Sequence, residues 1–204
     1  MAALVCILFF TSCTQAPKAS PPAETEAGKS APAGPVSGKT AFWEMYKSAH
    51  AWAADLTPLA LESKAVPGTK GVPEIKTDSG KAEMWSATFG SPRKNEARTF
   101  LYSAAVRPPD VVKGVTVGRA LPWSGPTQDA LPFETADFKV DSDAAYQAAL
   151  AQAAAWVKKH PGQEASLALG NASRFDGPVW CVRWGDNKSG YTVFVSARSG
   201  AVIK

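Results

Sequence analysis

The chain has 204 residues, with 22 Lys and Arg against 18 Asp and Glu and a formal charge of +4. Its basic residues are scattered rather than clustered on any segment, which argues against nucleic acid as a partner.

The N-terminus reads MAALVCILFFTSCTQ, with an apolar run from Ala2 to Phe10. That run is far shorter than the ~20 residues a membrane-crossing helix requires. A short apolar run ending in small residues is the pattern of a secretory leader. Phe10-Thr11-Ser12-Cys13 resembles the bacterial lipobox, in which a Cys after a small residue is lipidated and becomes the mature N-terminus. Phe10 stands where Leu is usual, and no Lys or Arg precedes the run. The resemblance implies a signal peptide over 1–12 and a lipid anchor on Cys13; the alternative is an ordinary signal peptide with an incidental Cys. Once Cys6 is removed and Cys13 is acylated, Cys181 has no intrachain partner, which excludes a disulfide framework.

From Thr14 to Thr40 the chain is rich in Pro, Ala, Gly, Ser and Lys, and Val36 is its one large apolar residue. Such a composition buries too little surface to offset its ordering entropy and is expected to be disordered. Residues 13–40 then form a tether with a reach of roughly 30 to 80 Å. The remainder, 41–204, is long enough for one domain or two small ones.

Phe42, Tyr46, Ala49, Ala53 and Leu56 recur at helical spacing. Alternation in MWSATFGSPRKNEARTFLYSA, Met84 to Ala104, predicts two strands joined by a turn, with Trp85, Ala87 and Phe89 on one face. A second helix is expected from Tyr146, Leu150, Ala153 and Val157. Asp141 to Asp143 cap its start, Lys158, Lys159 and His160 complement its end, and Pro161-Gly162 stops it. VWCVRWGDNKSGYTVFVSA, Val179 to Ala197, again predicts two strands, with Trp180, Val182 and Trp184 facing one way and Asp186 to Gly190 as the turn.

These two halves share their landmarks in order. Trp85 and Trp180 stand 95 positions apart, as do Phe89 and Trp184; LAL at Leu59–Leu61 and at Leu167–Leu169 stand 108 apart; Trp52 and Trp156 stand 104 apart. That order describes a tandem repeat. The expected fold class is α+β: two repeats over 41–120 and 134–204, each a helix on an antiparallel sheet of three to four strands, joined by a linker over 121–133. Apolar residues on both faces of the return strand suggest that the second sheet face is also partly covered, by the other repeat.

The pattern PVWCVRWGDNKSGYTVFVSARSGAVIK resembles the end of a PepSY domain, which closes on a hairpin written roughly W-x-V, turn, V-x-V-D-A-x-T-G-x-V. Ser196 stands where that family often has Asp, and Ser199 where it has Thr. The resemblance covers the second repeat well and the first loosely. It implies a helix-plus-sheet fold in a secreted protein, with an inhibitory or chaperoning role toward a peptidase.

Motifs for chemistry are sparse. The two histidines, His50 and His160, have no H-E-x-x-H spacing around them. Cys181 has no neighbouring His to activate it. Ser91 and Lys94 match S-x-x-K, but in a hairpin turn and without the S-D-N and K-T-G companions of the serine acyl-enzymes. Asp141 and Asp143 lack the Gly and Glu of a calcium loop. No catalytic residue, cofactor or metal site is therefore nominated. Two irregular segments are candidates for partner contact. One is the insertion Pro67 to Gly80; the other is the linker, where Trp123 is either a plug between the repeats or a binding anchor. The expectation is an envelope lipoprotein, lipid-anchored and facing the periplasm or exterior. It would act without catalysis on an envelope protein or peptide; a structural or assembly subunit is the alternative.

Overall fold

The computed structural model describes residues 34–65, 77–106, 111–186 and 188–203. The leader, Cys13, most of the tether and most of the insertion lie outside the described residues.

The chain enters through a short strand β1 (Val36–Ser37) and a helix α1 (Gly38–Trp52). Four strands then build half a sheet: β2 (Thr57–Ser63), and, after a small ribbon of β3 (Thr77–Asp78) and β4 (Lys81–Ala82), β5 (Met84–Ser91), β6 (Glu96–Ser103) and β7 (Gly114–Pro122). A 3-10 turn (Thr135–Asp137) leads into α2 (Ser142–Lys159). Then come β8 (Ala165–Gly170), β9 (Val179–Trp184), β10 (Tyr191–Ser196) and β11 (Val202–Ile203). A helix followed by four antiparallel strands thus occurs twice.

The two halves do not stack. They join edge to edge in one antiparallel eight-stranded sheet, ordered β11-β10-β9-β8-β2-β5-β6-β7. The join is β2 against β8, with Leu61 directly opposite Leu169. Those two residues are counterparts in the LAL repeat, so the two halves are related by a rotation whose axis passes between them. The expected covering of one repeat's second face by the other is thereby corrected: both helices lie on one face, and the repeats share a single core there. Edge pairing is favoured because it satisfies a row of backbone groups that a separated half would leave open.

Helix α1 is capped by Ser37, whose hydroxyl accepts from the Thr40 amide at 3.3 Å, and α2 by Asp141, which accepts from Ser142 at 2.7 Å. The buried stripe of α2 is turned from the expected one, whereas in the α1 segment Phe42, Ala49, Ala53 and Leu56 are buried as expected and Ala41 and Met45 join them. In α2 the stripe runs through Ala145, Ala149 and Ala153, with Tyr146, Leu150 and Val157 flanking it. Leu56 lies beyond the helix. In α2 small residues face the sheet because the sheet supplies the bulk: Trp85, Phe89, Phe100, Trp180 and Trp184 are all buried beneath the helices.

Residues 36–40 had been placed in the tether by composition. In the structure they belong to the fold: β1 pairs with β4, Val36 is buried, and α1 begins at Gly38. The end of the insertion is equally built in. Ser79 and Gly80, both at positive φ (47° and 85°), make the tight turn between β3 and β4. A Cβ on Gly80 would sit 2.6 Å from the Asp143 Cα and the Ser142 carbonyl, so the turn is seated on the first turn of α2.

The sheet's two outer edges differ in length. β11 has two residues. β7 has nine, broken by a bulge opposite Arg98 to Phe100, and carries Arg119 and a terminal Pro122, devices that discourage edge-to-edge aggregation. Since β7 runs to Pro122, the joining segment begins at Trp123.

Candidate functional site: a trough on the helix-free sheet face

The L-A-L pattern decides what the open face looks like at the join. Leu61 of β2 and Leu167 and Leu169 of β8 turn into the core, the residues between them turn away from it, and Leu59, at a bulge in β2, lines the open face. Ala60 pairs with Gly170, and Glu62 with Ala168. Ala168 pairs in turn with Cys181 of β9, and Cys181 with Phe194 of β10. One row across the open face therefore reads Glu62, Ala168, Cys181, Phe194. Small residues in the middle of the row and larger ones at its ends leave a trough of about 280 Å³.

One wall is the loop between β8 and β9. Phe175 packs on Phe194, ring centroids 5.1 Å apart, and the Arg174 guanidinium lies over both rings, 4.8 Å and 5.6 Å from their centroids. Arg183, held to the Thr192 hydroxyl at 3.2 Å, stands further along the same side. The loop is tied to the linker by Leu131 N–H to the Asn171 carbonyl (2.9 Å) and Ser173 N–H to the Gln128 carbonyl (2.8 Å). That tie brings Asp129 and Ala130 to the trough's rim. Asn171 donates through Nδ2 to the Pro132 carbonyl at 2.9 Å, while its buried Oδ1 has no hydrogen-bond partner.

Arg174 and Arg183 lie on the β9–β10 side of the trough, Glu62, paired with Lys64, lies on the β2 side, and Asp129 stands on the rim with the linker. Elsewhere in the molecule an exposed guanidinium such as that of Arg198 is met by Asp137 (2.7 Å) and Asp176 (3.2 Å). Arg174 meets only the two rings among the described residues. The Cys181 thiol on the floor is pushed up from its ordinary pKa by burial, against the pull of Arg183 and Arg174.

The other sequence-derived candidates lie elsewhere. Trp123 packs its ring on Gly90 of β5, where a Cβ would come within 2.8 Å of it, and its backbone N–H donates to the Asn95 carbonyl at 2.9 Å. It closes the end of the β5–β6 hairpin beside Pro92 and Pro126 rather than filling a space between the repeats. Bulky Trp needs a site without a facing side chain, and Gly90 provides it. Ser91 is buried and donates to Asp55 Oδ1 at 2.8 Å; Asp55 Oδ2 accepts the Arg93 N–H at 2.8 Å. The S-x-x-K serine is thus a turn anchor. His50 is exposed on α1 against Tyr46, and His160 stacks on Trp156 at 4.0 Å with Nδ1 2.9 Å from the Trp156 carbonyl. Among the described residues no three His, Cys, Asp or Glu side chains are grouped to hold a metal ion, and no helix is long and apolar enough to cross a membrane.

Sequence reasoning missed Arg174 and Phe175. Their only signal was an Arg-aromatic pair inside a loop of Ser, Asp and Gly.

No protein-family model matches the chain, and no curated protein matches it. Among solved structures it is similar to a "putative lipoprotein" from Clostridium difficile 630, with 14% identity and a TM-score of 0.49, covering 80% of this chain and 90% of that one. At that identity and score the likeness assigns no function.

Proposed function

We propose that the chain is an envelope lipoprotein, anchored through acylated Cys13 and its Pro/Ala-rich tether, whose two PepSY-like repeats form a non-enzymatic module that binds a protein or peptide. The observation that carries this reading is the trough at the join of β2 and β8. It is a concave, partly apolar depression with charged groups on both sides, the general form of a recognition site. Regulation of a peptidase is the role the PepSY resemblance implies for such a module.

A photo-crosslinking residue placed at Ala168, on the trough floor, tests the reading in intact cells. The expected result is a discrete adduct with an envelope protein, absent when the same residue replaces the exposed Lys158 on α2. Equal labelling from both positions, or none from Ala168, counts against it.

A second reading, an assembly subunit, is favoured by a different surface. Val106, Val112, Val117 and Leu121, all on or near β7, are exposed, the last two at 49% and 53%. Crosslinks from Val117 rather than Ala168, within a complex of fixed stoichiometry, would support it.

A further inference from the structure

The trough's chemistry narrows its ligand. The Arg174 guanidinium lies over Phe175 and Phe194, at the edge of the trough, and it meets no carboxylate among the described residues. A planar fork of N–H donors matches a carboxylate in two-point contact. Beside it the floor over Ala168 and Gly170 is small and apolar, and its volume of about 280 Å³ suits one or two side chains rather than a long acyl chain. Across the floor stands Glu62, and Asp129 lies on the rim; both are acceptors that suit the N–H groups of a peptide backbone.

Resting on the reading of the chain as a binding module, we propose that the trough receives an acidic peptide segment. A Glu or Asp carboxylate of the segment pairs with Arg174, and the adjoining apolar side chain lies on the floor over Ala168 and Gly170. Backbone amides of the segment face Glu62 and Asp129.

The test uses the full chain in detergent and a set of labelled pentapeptides, acetylated and amidated, with Glu between Leu and Phe. Companion probes carry Gln in place of Glu, or amide side chains with a free C-terminus; laurate is the lipid probe. Fluorescence polarisation is expected to show binding of the Glu peptides, weakened by salt and by about tenfold or more in Arg174→Gln, and unchanged in Arg119→Gln on the distant β7. Arg174 is exposed, so the variant should fold, which circular dichroism checks. Equal binding of the Gln peptides, equal binding by Arg174→Gln, or binding of the free C-terminus or laurate alone would overturn the proposal. Failure of every peptide while the Ala168 crosslink persists would overturn the ligand class and leave the binding module standing. Failure of both would overturn both.

Discussion

Trp85 and Trp180 meet edge to face at the centre of the molecule, ring centroids 6.3 Å apart and planes at 70°. Each indole donates to a carbonyl one residue before a helix cap: Trp85 to Val36 at 3.1 Å, Trp180 to Val140 at 2.9 Å. The two tryptophans stand 95 positions apart and the two valines 104. The same bond is therefore made twice, once in each half of the sheet, and the two indoles touch each other near the join of Leu61 and Leu169.

Truncating either indole should be severe. Trp85→Ala and Trp180→Ala are each expected to cost about 3–5 kcal/mol in chemical unfolding, the range for large buried aromatics. The gentler Trp→Phe changes strip the indole N–H and leave a carbonyl short of its donor, at about 1–3 kcal/mol each. Because the rings touch, the double Phe variant should depart from the sum of the singles. Strict additivity would mean that the two sites are energetically separate.

The helix starts are coupled as well. The Gly38 amide donates to the buried Ser142 hydroxyl at 2.7 Å, and the Lys39 amide to Asp141 Oδ1 at 2.9 Å. Ser142→Ala leaves a buried N–H without an acceptor and should lower stability by about 1–3 kcal/mol. A Cβ at Gly38 would lie 2.9 Å from Trp180 and 3.2 Å from Trp85 and Ser142. Gly38→Ala should therefore destabilise by overpacking, by about 1–3 kcal/mol. Unchanged urea midpoints in both variants would contradict the close approach of the two N-termini.

Acid should loosen a hairpin turn. The Asp55 carboxyl is held below its ordinary range by the Arg93 amide first and the Ser91 hydroxyl second, and Asp186 is lowered by the amides of Ser189 and Lys188. A depressed folded-state pKa contributes stability that is complete above the unfolded-state value and is lost as pH falls through the folded-state value. The window thus opens below about pH 4. Asp55→Asn should reduce stability at neutral pH and differ less from the unmodified chain in strong acid. An equal difference at both pH values would show that the carboxylate charge does not pin the turn.

Cys13 lies outside the described residues, and its lipidation is tested on the cell. Cys13→Ala should abolish acyl labelling and move the protein out of the membrane fraction. Retained labelling would remove the anchor from the proposed function.

Much of the α+β architecture was legible because it rests on local pattern. Alternation in VWCVRW and MWSATFG placed the tryptophans on one face, and the shared order of landmarks set two helices and two runs of strands in register. The join was not legible. Which strand of one half meets which strand of the other is a non-local choice, and β2 and β8 carry the same LAL phrase with nothing in either to say that they pair. Val36 to Thr40 was misassigned because a Pro- and Gly-rich neighbourhood hides one buried valine and a capping serine. Nor was the trough legible: Arg174 and Phe175 reach it only because a loop folds back over β10. Trp123 was noticed as an aromatic among prolines, but its seat on Gly90 depends on a contact that no periodicity encodes.

The most direct test of the binding reading is complementation of a strain lacking the chain, with folding of each variant checked by circular dichroism and thermal unfolding. Filling the trough with Ala168→Trp, or reversing its charge with Arg174→Glu, is expected to abolish rescue while the fold persists. The paired change His50→Gln with His160→Gln, at exposed positions, is expected to rescue as the unmodified chain does. Full rescue by both trough variants, or loss of rescue by a folded double-histidine variant, would contradict the account.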